Sequence, residues 1–430
     1  MKPLTIESIL HRLRAEPGPA GARAARVLAE PETYRFQAML DVRTPCLRET
    51  SGFRVGAEYF YPASTVKVLI AAAALAMLDR LEPPSAPVGD APATTARFAF
   101  RDDSGSFAPE RSFNEELALC LIVSDNEASN RLLELVGLDG MRTYLDQIGL
   151  YQARVVHHLS STRTPDEQRR SRAVRLTIGS RTHELPGRVA APVSPPLESD
   201  TPPRIDVGIA HSREGETIPG PMSFRAKNLV PLDSLHAFLR ALGSPDSGDA
   251  KPRVLPPTRD SVASSGSNLS LGSGCGPRLD LSAPHRALLV ELLSSTPEAW
   301  SRSRGFRPEV ADGEQYSDHR FRPIATGLAR ATFSHGPDDP WIVASKIGTA
   351  YGFVTDVAYA IHRPSGTTLT LSMTMESNPS GMVGAGGYDE AFALAFFSDV
   401  AQAVARDVLK EAEARLRAAA VGLRSSPDPR

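Results

Sequence analysis

The hydrophobic pattern changes character several times along the chain, and each change predicts an element. Ile6 to Ala29 reads as helix, broken at Pro17 and Pro19. Tyr34 to Val42 and Glu49 to Tyr59 read as strands, with a turn near Thr44-Pro45. The eleven-residue apolar run Val68 to Leu78 is too short to span a bilayer and predicts a buried helix opening at Ser64. That helix is expected to end before the loop Glu82-Pro83-Pro84-Ser85-Ala86-Pro87, because the residue before a proline disfavours helical backbone. Ser112-Phe113-Asn114-Glu115 reads as a capping box for a helix through Val123. Asn126 to Val136 and Leu138 to Ile148 predict two more helices, parted by Gly137.

From Val155 to Asn228 the pattern degrades. Arg163, Arg169, Arg170, Arg172 and Arg175 read as a solvated surface, and Pro192, Pro195, Pro196, Pro202 and Pro203 mark irregular backbone. Pro231 to Leu242 predicts a helix, Gly243 to Gly276 a Ser-, Gly- and Pro-rich loop, and Leu281 to Ser294 a further helix. Trp341 to Lys346, Val354 to His362 and Thr367 to Met375 are strand-like, the last two joined by the hairpin signal Arg363-Pro364-Ser365-Gly366. Tyr388 to Ala418 is helical. Strands at both ends and helices between them predict an α+β fold. Residues 1–60 and 230–425 would form a discontinuous antiparallel-sheet domain. Residues 61–229 would form a mostly helical subdomain with an irregular insertion near 155–228, and 243–276 a loose loop insertion.

Composition narrows the class without naming a chemistry. The chain has 430 residues, 41% hydrophobic and 23% charged, which suits one or two globular domains. A net charge of −2 gives no field directed at nucleic acid or an anionic membrane. Cys46, Cys120 and Cys275 lie far apart, without metal spacing or a disulfide framework, and Cys120 falls on an apolar helix as a core residue. The start Met1-Lys2-Pro3-Leu4-Thr5 has no apolar core of a signal peptide, so either the protein stays inside or a signal has been removed.

The chemistry enters at Ser64-Thr65-Val66-Lys67. Residues three apart share a helix face, so Ser64 and Lys67 would be neighbours in the first turn, where free N–H groups favour negative charge. A hydroxyl beside a desolvated amine is a nucleophile with its base attached. Lysine is scarce here, six against 42 arginines, and arginine cannot supply a neutral amine. The same residues also read as a solvated Ser and Lys. Sixty residues on, Ser124-Asp125-Asn126 lies between two predicted helices. Ser124 could relay a proton and Asn126 could hold an amide, or Ser124 or Asp125 could simply cap the following helix. Ser345-Lys346-Ile347-Gly348-Thr349 ends a predicted strand. Lys346 would supply charge for a substrate carboxylate and Gly348 close approach, or Lys346 would guard a sheet edge.

S-x-x-K, S-D-N and a K-x-G in this order resemble class A β-lactamases and penicillin-binding proteins. Asn126 to Leu133 and Tyr351 to Asp356 resemble the flanking segments of those serine hydrolases. The resemblance implies a nucleophilic Ser64, a base Lys67 and a proton relay through Ser124 assisted by Lys346. Asn126 would hold the substrate amide, Gly348 would admit the substrate, and the N–H groups of Ser64 and Thr349 would hold the oxyanion. No metal or cofactor is implied. The partner is a small-molecule or peptide amide, with no nucleic acid and no membrane span, and the oligomeric state stays open. The family's substrates imply a periplasmic or secreted site.

Two departures qualify the match. Ile347 stands where the family usually has a hydroxyl, which Thr349 or Ser345 would have to replace. No E-x-x-L-N loop supplies a deacylating glutamate. Counting forward from Ser124 reaches Ser160, with Asp166 and Glu167 nearby, and counting back from the Pro231 helix reaches Glu214 and Glu216, the preferred candidates. His157-His158 lack metal spacing and read as surface residues. The expected activity is β-lactamase-like amide hydrolysis through an acyl-enzyme. The alternatives are a D-alanyl-D-alanine peptidase or esterase of the same fold, or a binding module without turnover.

Overall fold

The computed structural model describes residues 4–44, 47–82, 95–192, 205–213, 215–243, 277–297, 299–300, 322–332 and 340–424. Helices α1 (Ile6–Arg14) and α2 (Pro19–Ala29) lead into strands β1 (Gln37–Thr44) and β2 (Leu47–Phe53). A 3₁₀ turn (Ala63–Thr65) runs straight into α3 (Val66–Leu81). Next come β3 (Arg97–Phe100), β4 (Arg111–Ser112), α4 (Phe113–Leu121), α5 (Asn126–Val136) and α6 (Leu138–Gln147). A segment of short pieces follows: α7 (Pro165–Gln168), β5 (Arg170–Ser171), β6 (Val174–Ile178), β7 (Arg181–Leu185) and β8 (Arg188–Val189). It continues with β9 (Asp206–Val207), β10 (Ala210–Arg213), β11 (Glu216–Pro219) and β12 (Met222–Ser223). The chain closes with α8 (Leu232–Gly243), α9 (Ala283–Ser294), α10 (Pro323–Thr332), β13 (Trp341–Ala350), β14 (Phe353–His362), β15 (Thr367–Glu376), β16 (Met382–Val383) and α11 (Glu390–Arg424).

The main sheet has the order β13-β14-β15-β1-β2, antiparallel throughout, so both ends of the sequence build it. Alternation along its strands separates two cores. Ala38, Leu40, Met373, Ala358 and Ile347 face one side, packed with residues of α1, α10 and α11. Met39, Val357 and Ala344 face the other side, in the cluster that holds α3, α4, α5 and α8. Lys346 stands opposite Val357 and therefore points toward the helical core. α3 is buried all round, with Val68, Leu69, Ala71, Ala72, Ala73 and Leu75 at 0% exposure. A helix apolar on every face needs neighbours on every face, and α4, α5, α6 and α9 all pack against it.

The sequence reading of 155–228 as irregular needs correction. Among the described residues it carries eight short strands, and β6 and β7 extend β3 and β4 into a second, four-stranded sheet. Strands of two to five residues are too short to show a period-two pattern. α10 was not anticipated either. The reading of 243–276 falls, after Gly243, outside the described residues, as do Cys46, Cys275, Pro83 to Pro87, Glu214 and the prolines at 195, 196, 202 and 203.

Candidate active site

Ser64 sits in the middle of the 3₁₀ turn, not within α3 itself. The turn is pinned by Thr65, whose N–H and hydroxyl both donate to the Pro62 carbonyl at 3.1 and 2.6 Å. Ala63 before it has φ +46°, a left-handed conformation that is costly with a Cβ. β13 is an edge strand of the main sheet, and it runs alongside this turn. A Cβ added at Gly348 would lie 2.6 Å from the Pro62 oxygen and 2.7 Å from the Ser64 nitrogen. Glycine at 348 is thus what lets the strand edge approach the Ser64 turn.

Lys67, in the first turn of α3, is fully buried, and its Nζ meets three acceptors. It donates to the Ser124 carbonyl, to Ser124 Oγ at 3.1 Å and to Asn126 Oδ1 at 2.8 Å. Ser124 itself has φ +60° in the tight link between α4 and α5. The cap of α5 is Asp125, whose carboxylate accepts from Ala128 N at 2.6 Å. Ser124 is therefore released from capping. Lys346 Nζ reaches the same hydroxyl from the sheet side, donating to Ser124 Oγ at 2.8 Å and to the Ile347 carbonyl at 3.3 Å. With both lone pairs of Ser124 Oγ occupied by ammonium donors, its own proton is free to point elsewhere.

The electrostatics follow from burial. Loss of solvent lowers the Lys67 ammonium to about 8, with Cys120 and Asp125 pulling the other way. Lys346 is lowered to about 7, first by burial and then by the like charge of Lys67. Asp356 is raised to about 6 by burial, although its Oδ2 accepts from Ile324 N at 3.0 Å in the first turn of α10. Two lysines with depressed pKa values therefore share one serine hydroxyl, an arrangement suited to moving protons.

A cavity of about 190 Å³ opens onto Ser64. Asn126, His157, Ser160, Lys227, Thr349 and Tyr351 help to line it, and no described lining residue carries a carboxylate. Asn126 Nδ2 donates to Ser160 Oγ at 2.9 Å, so a neutral hydroxyl occupies the amide's outer side. Of the proposed deacylating acids, Glu214 lies outside the described residues. Glu216 is exposed on β11, opposite Arg213 in a hairpin, and does not line this cavity. Asp166 pairs with Arg169 at 2.8 Å, and Glu167 closes a capping box with Thr164. Ile347 is 6% exposed and packs in the core beneath the sheet. Of the two hydroxyls expected to replace its missing one, Ser345 accepts from Arg322 Nε at 3.1 Å, and Thr349 lines the cavity.

The reading of His157-His158 as surface residues is corrected. His158 is 3% exposed, bonded through Nδ1 to Gln168 Oε1 at 2.5 Å. His157 stacks on Tyr61, with ring centroids 6.3 Å apart and planes within 3°. Its Nδ1 lies 2.8 Å from the His158 carbonyl and must be the protonated nitrogen, since a carbonyl only accepts. Burial lowers its pKa to about 4, so the ring is neutral. Lys227, absent from the sequence reading, stands in the cavity with its Nζ 3.3 Å from the Tyr351 hydroxyl. The scarcity of lysine that singled out Lys67 applies equally to Lys227 and could have found it. Among the described residues no group of three or more His, Cys, Asp or Glu side chains is placed to hold a metal ion. No described helix is long and apolar enough to cross a membrane.

No curated protein matches the sequence. A solved β-lactamase from Xanthomonas campestris is similar at 17% identity, covering 95% of this chain and 100% of its own, with a TM-score of 0.46. One from Streptosporangium roseum is similar at 17% identity, covering 91% and 100%, with a TM-score of 0.46. A variant of PBP-A, solved as its acyl-enzyme with penicillin G, is similar at 12% identity, covering 94% and 96%, with a TM-score of 0.45. Residues 47–179, which contain Ser64, Lys67, Ser124 and Asn126, match the model of the β-lactamase enzyme family. That match covers 133 of the 430 residues, and within it the chain is similar to the β-lactamase enzyme family.

Proposed function

We propose that the protein is an active-site serine hydrolase that takes up the acyl group of a β-lactam or related amide on Ser64 and releases it slowly. The observation that carries this reading is the Ser124 hydroxyl held at 3.1 Å from Lys67 Nζ and 2.8 Å from Lys346 Nζ, beside the Ser64 turn. In acylation, Ser64 Oγ bonds to the substrate carbonyl and gives its proton to the neutral amine of Lys67. A lysine with a pKa near 8 offers far more of that form at neutral pH than one near 10.5. The C–N bond then breaks as the leaving nitrogen takes the Ser124 proton, and Lys67 or Lys346 replaces that proton through Oγ. The backbone N–H groups of Ser64 and Thr349 would face the oxyanion, a contribution of about 2.7–4 kcal/mol per donor.

Deacylation needs a base for water. Ser160, at the amide of Asn126, cannot act as a carboxylate does. This favours a long-lived acyl-enzyme over rapid turnover, the behaviour of a penicillin-binding peptidase or an antibiotic sink. Intact mass measured after incubation with a fluorescent penicillin, alongside colour release from a chromogenic cephalosporin, tests the proposal. The expected result is a stable adduct on Ser64 with little steady release. Rapid steady release would overturn the slow step, and absence of any adduct on folded protein would overturn the serine chemistry itself.

A further inference from the structure

The Ser64 cavity shares part of its wall with a neighbour. His157, Ser161 and Lys227 also line a second, larger chamber of about 630 Å³, built from the 155–228 segment. The chamber arises from a short ribbon. Arg154 and Leu229 exchange backbone hydrogen bonds, N to O at 2.6 and 2.9 Å. Asn228, fully buried, continues the pairing by accepting from Val156 N and His157 N at 2.8 and 3.2 Å. Side chains alternate along such a ribbon, so Arg154, Val156, Lys227 and Leu229 fall on one face. All four line the chamber.

Its walls are apolar where Leu138, Ile205 and Phe224 stand, and elsewhere carry Arg154, Arg163, Arg169, Arg225 and Lys227 with one carboxylate, Asp166. Setting aside Arg225, which has an interaction of its own, the cations divide into two groups. Arg169 is matched by Asp166 at 2.8 Å and Arg163 by Glu134 at 3.3 Å. Arg154 has no carboxylate partner among the described residues, and its Nη1 is a buried donor with no acceptor. Among the described residues Lys227 meets the hydroxyl and ring of Tyr351. A buried, unmatched donor on a guanidinium is costly, and an acceptor relieves it, an anion most strongly.

We propose that this chamber is the acyl-side subsite of the Ser64 pocket and takes an apolar acyl chain ending in a carboxylate held by Lys227 and Arg154. The proposal rests on the serine-hydrolase reading for its orientation. His157 to Ser161 form the wall that carries Ser160 to Asn126, the residue expected to hold the acyl-side amide. The ligand chemistry, an apolar body with a terminal anion, is read from the chamber alone.

Two thioesters with the same leaving thiol test it, one bearing a 5-carboxypentanoyl chain and the other a hexanoyl chain. In each, the Ser64 Oγ–carbonyl bond forms, the C–S bond breaks, and the thiol leaves with the proton that Ser64 gives up. Thiol release and intact mass give the acylation rates, and competition by free adipate or hexanoate on the Ser64→Ala protein reads binding without chemistry. The expected result is a preference for the carboxylate chain on the order of tenfold. Lys227→Met and Arg154→Met should each erase it, and Lys227→Arg should keep it. Equal rates for both chains, with adipate no better a competitor than hexanoate, would overturn the subsite and leave the serine chemistry standing. No acylation by either chain, with adipate still competing in a Lys227-dependent way, would overturn the serine chemistry and leave the anion chamber standing. A preference that survives both methionine variants would assign the carboxylate to other residues and overturn the proposal.

Discussion

Two lysines converging on one serine hydroxyl make the strongest demand on solvent conditions. Lys67 and Lys346 hold folded pKa values near 8 and 7, below the roughly 10.4 of a free lysine. The unfolded chain therefore binds more protons between those values and about pH 10, and stability rises with pH across that window. Denaturant midpoints measured from pH 7 to pH 10 should increase, and a Lys346→Met protein should show a flatter rise. The acylation rate should climb along a limb centred near pH 8 as Lys67 loses its proton. Lys67→Arg should cost about 10²–10⁴-fold in acylation, because the guanidinium never becomes a base. Ser160→Glu puts a carboxylate beside Asn126 and should speed deacylation by about 10²-fold, read as a shortened lifetime of the Ser64 adduct. Ser64, Lys67, Ser124 and Lys346 stood out in the sequence because they fall in three short motifs whose order resembles that of a known family. His157 did not, because it is brought to Ser64 by a loop neck whose closure depends on Asn228, 71 residues from it.

Apart from α10, long elements were legible and short ones were not. α5 spans the residues its pattern predicts, and the three C-terminal strands match their sequence cores with one to four extra residues at the ends. β3 to β12 escaped because strands of two to five residues are too short to show a period. Cross-links between elements then carry the geometry. Glu134 near the end of α5 is 3% exposed and accepts from Arg172 N, Nε and Nη2 at 3.1, 2.8 and 3.0 Å, which ties the helix to the segment preceding β6. Glu134→Gln should lower stability by about 2 kcal/mol, measured by chemical denaturation. The contact of β13 with the nucleophile turn is tighter still. Gly348→Ala should displace Ser64 and reduce acylation by about 10²-fold, with a smaller effect on the unfolding midpoint.

At the level of the whole molecule, α1 and α2 lie against α11. Arg23 pairs with Asp399 at 2.7 Å where the carboxylate side chain is only 7% exposed, and Arg12 pairs with Asp407 at 2.6 Å in a more open setting. Arg23→Ala should therefore destabilise more, by about 2 kcal/mol, than Arg12→Ala, which should cost under about 1 kcal/mol. The strand order adds a constraint in time. β1 finds its neighbour β15 only after more than 320 further residues have been made, since Leu40 sits opposite Leu371. On a ribosome the β1–β2 hairpin would emerge first with one edge bare, while α3 to α6 could gather around their own apolar residues. Ser64 would thus be housed before the sheet that completes its pocket exists. A nascent chain halted short of β13 would carry Ser64, Lys67 and Ser124 but lack Lys346, so the cluster of four would assemble only once β13 had been made.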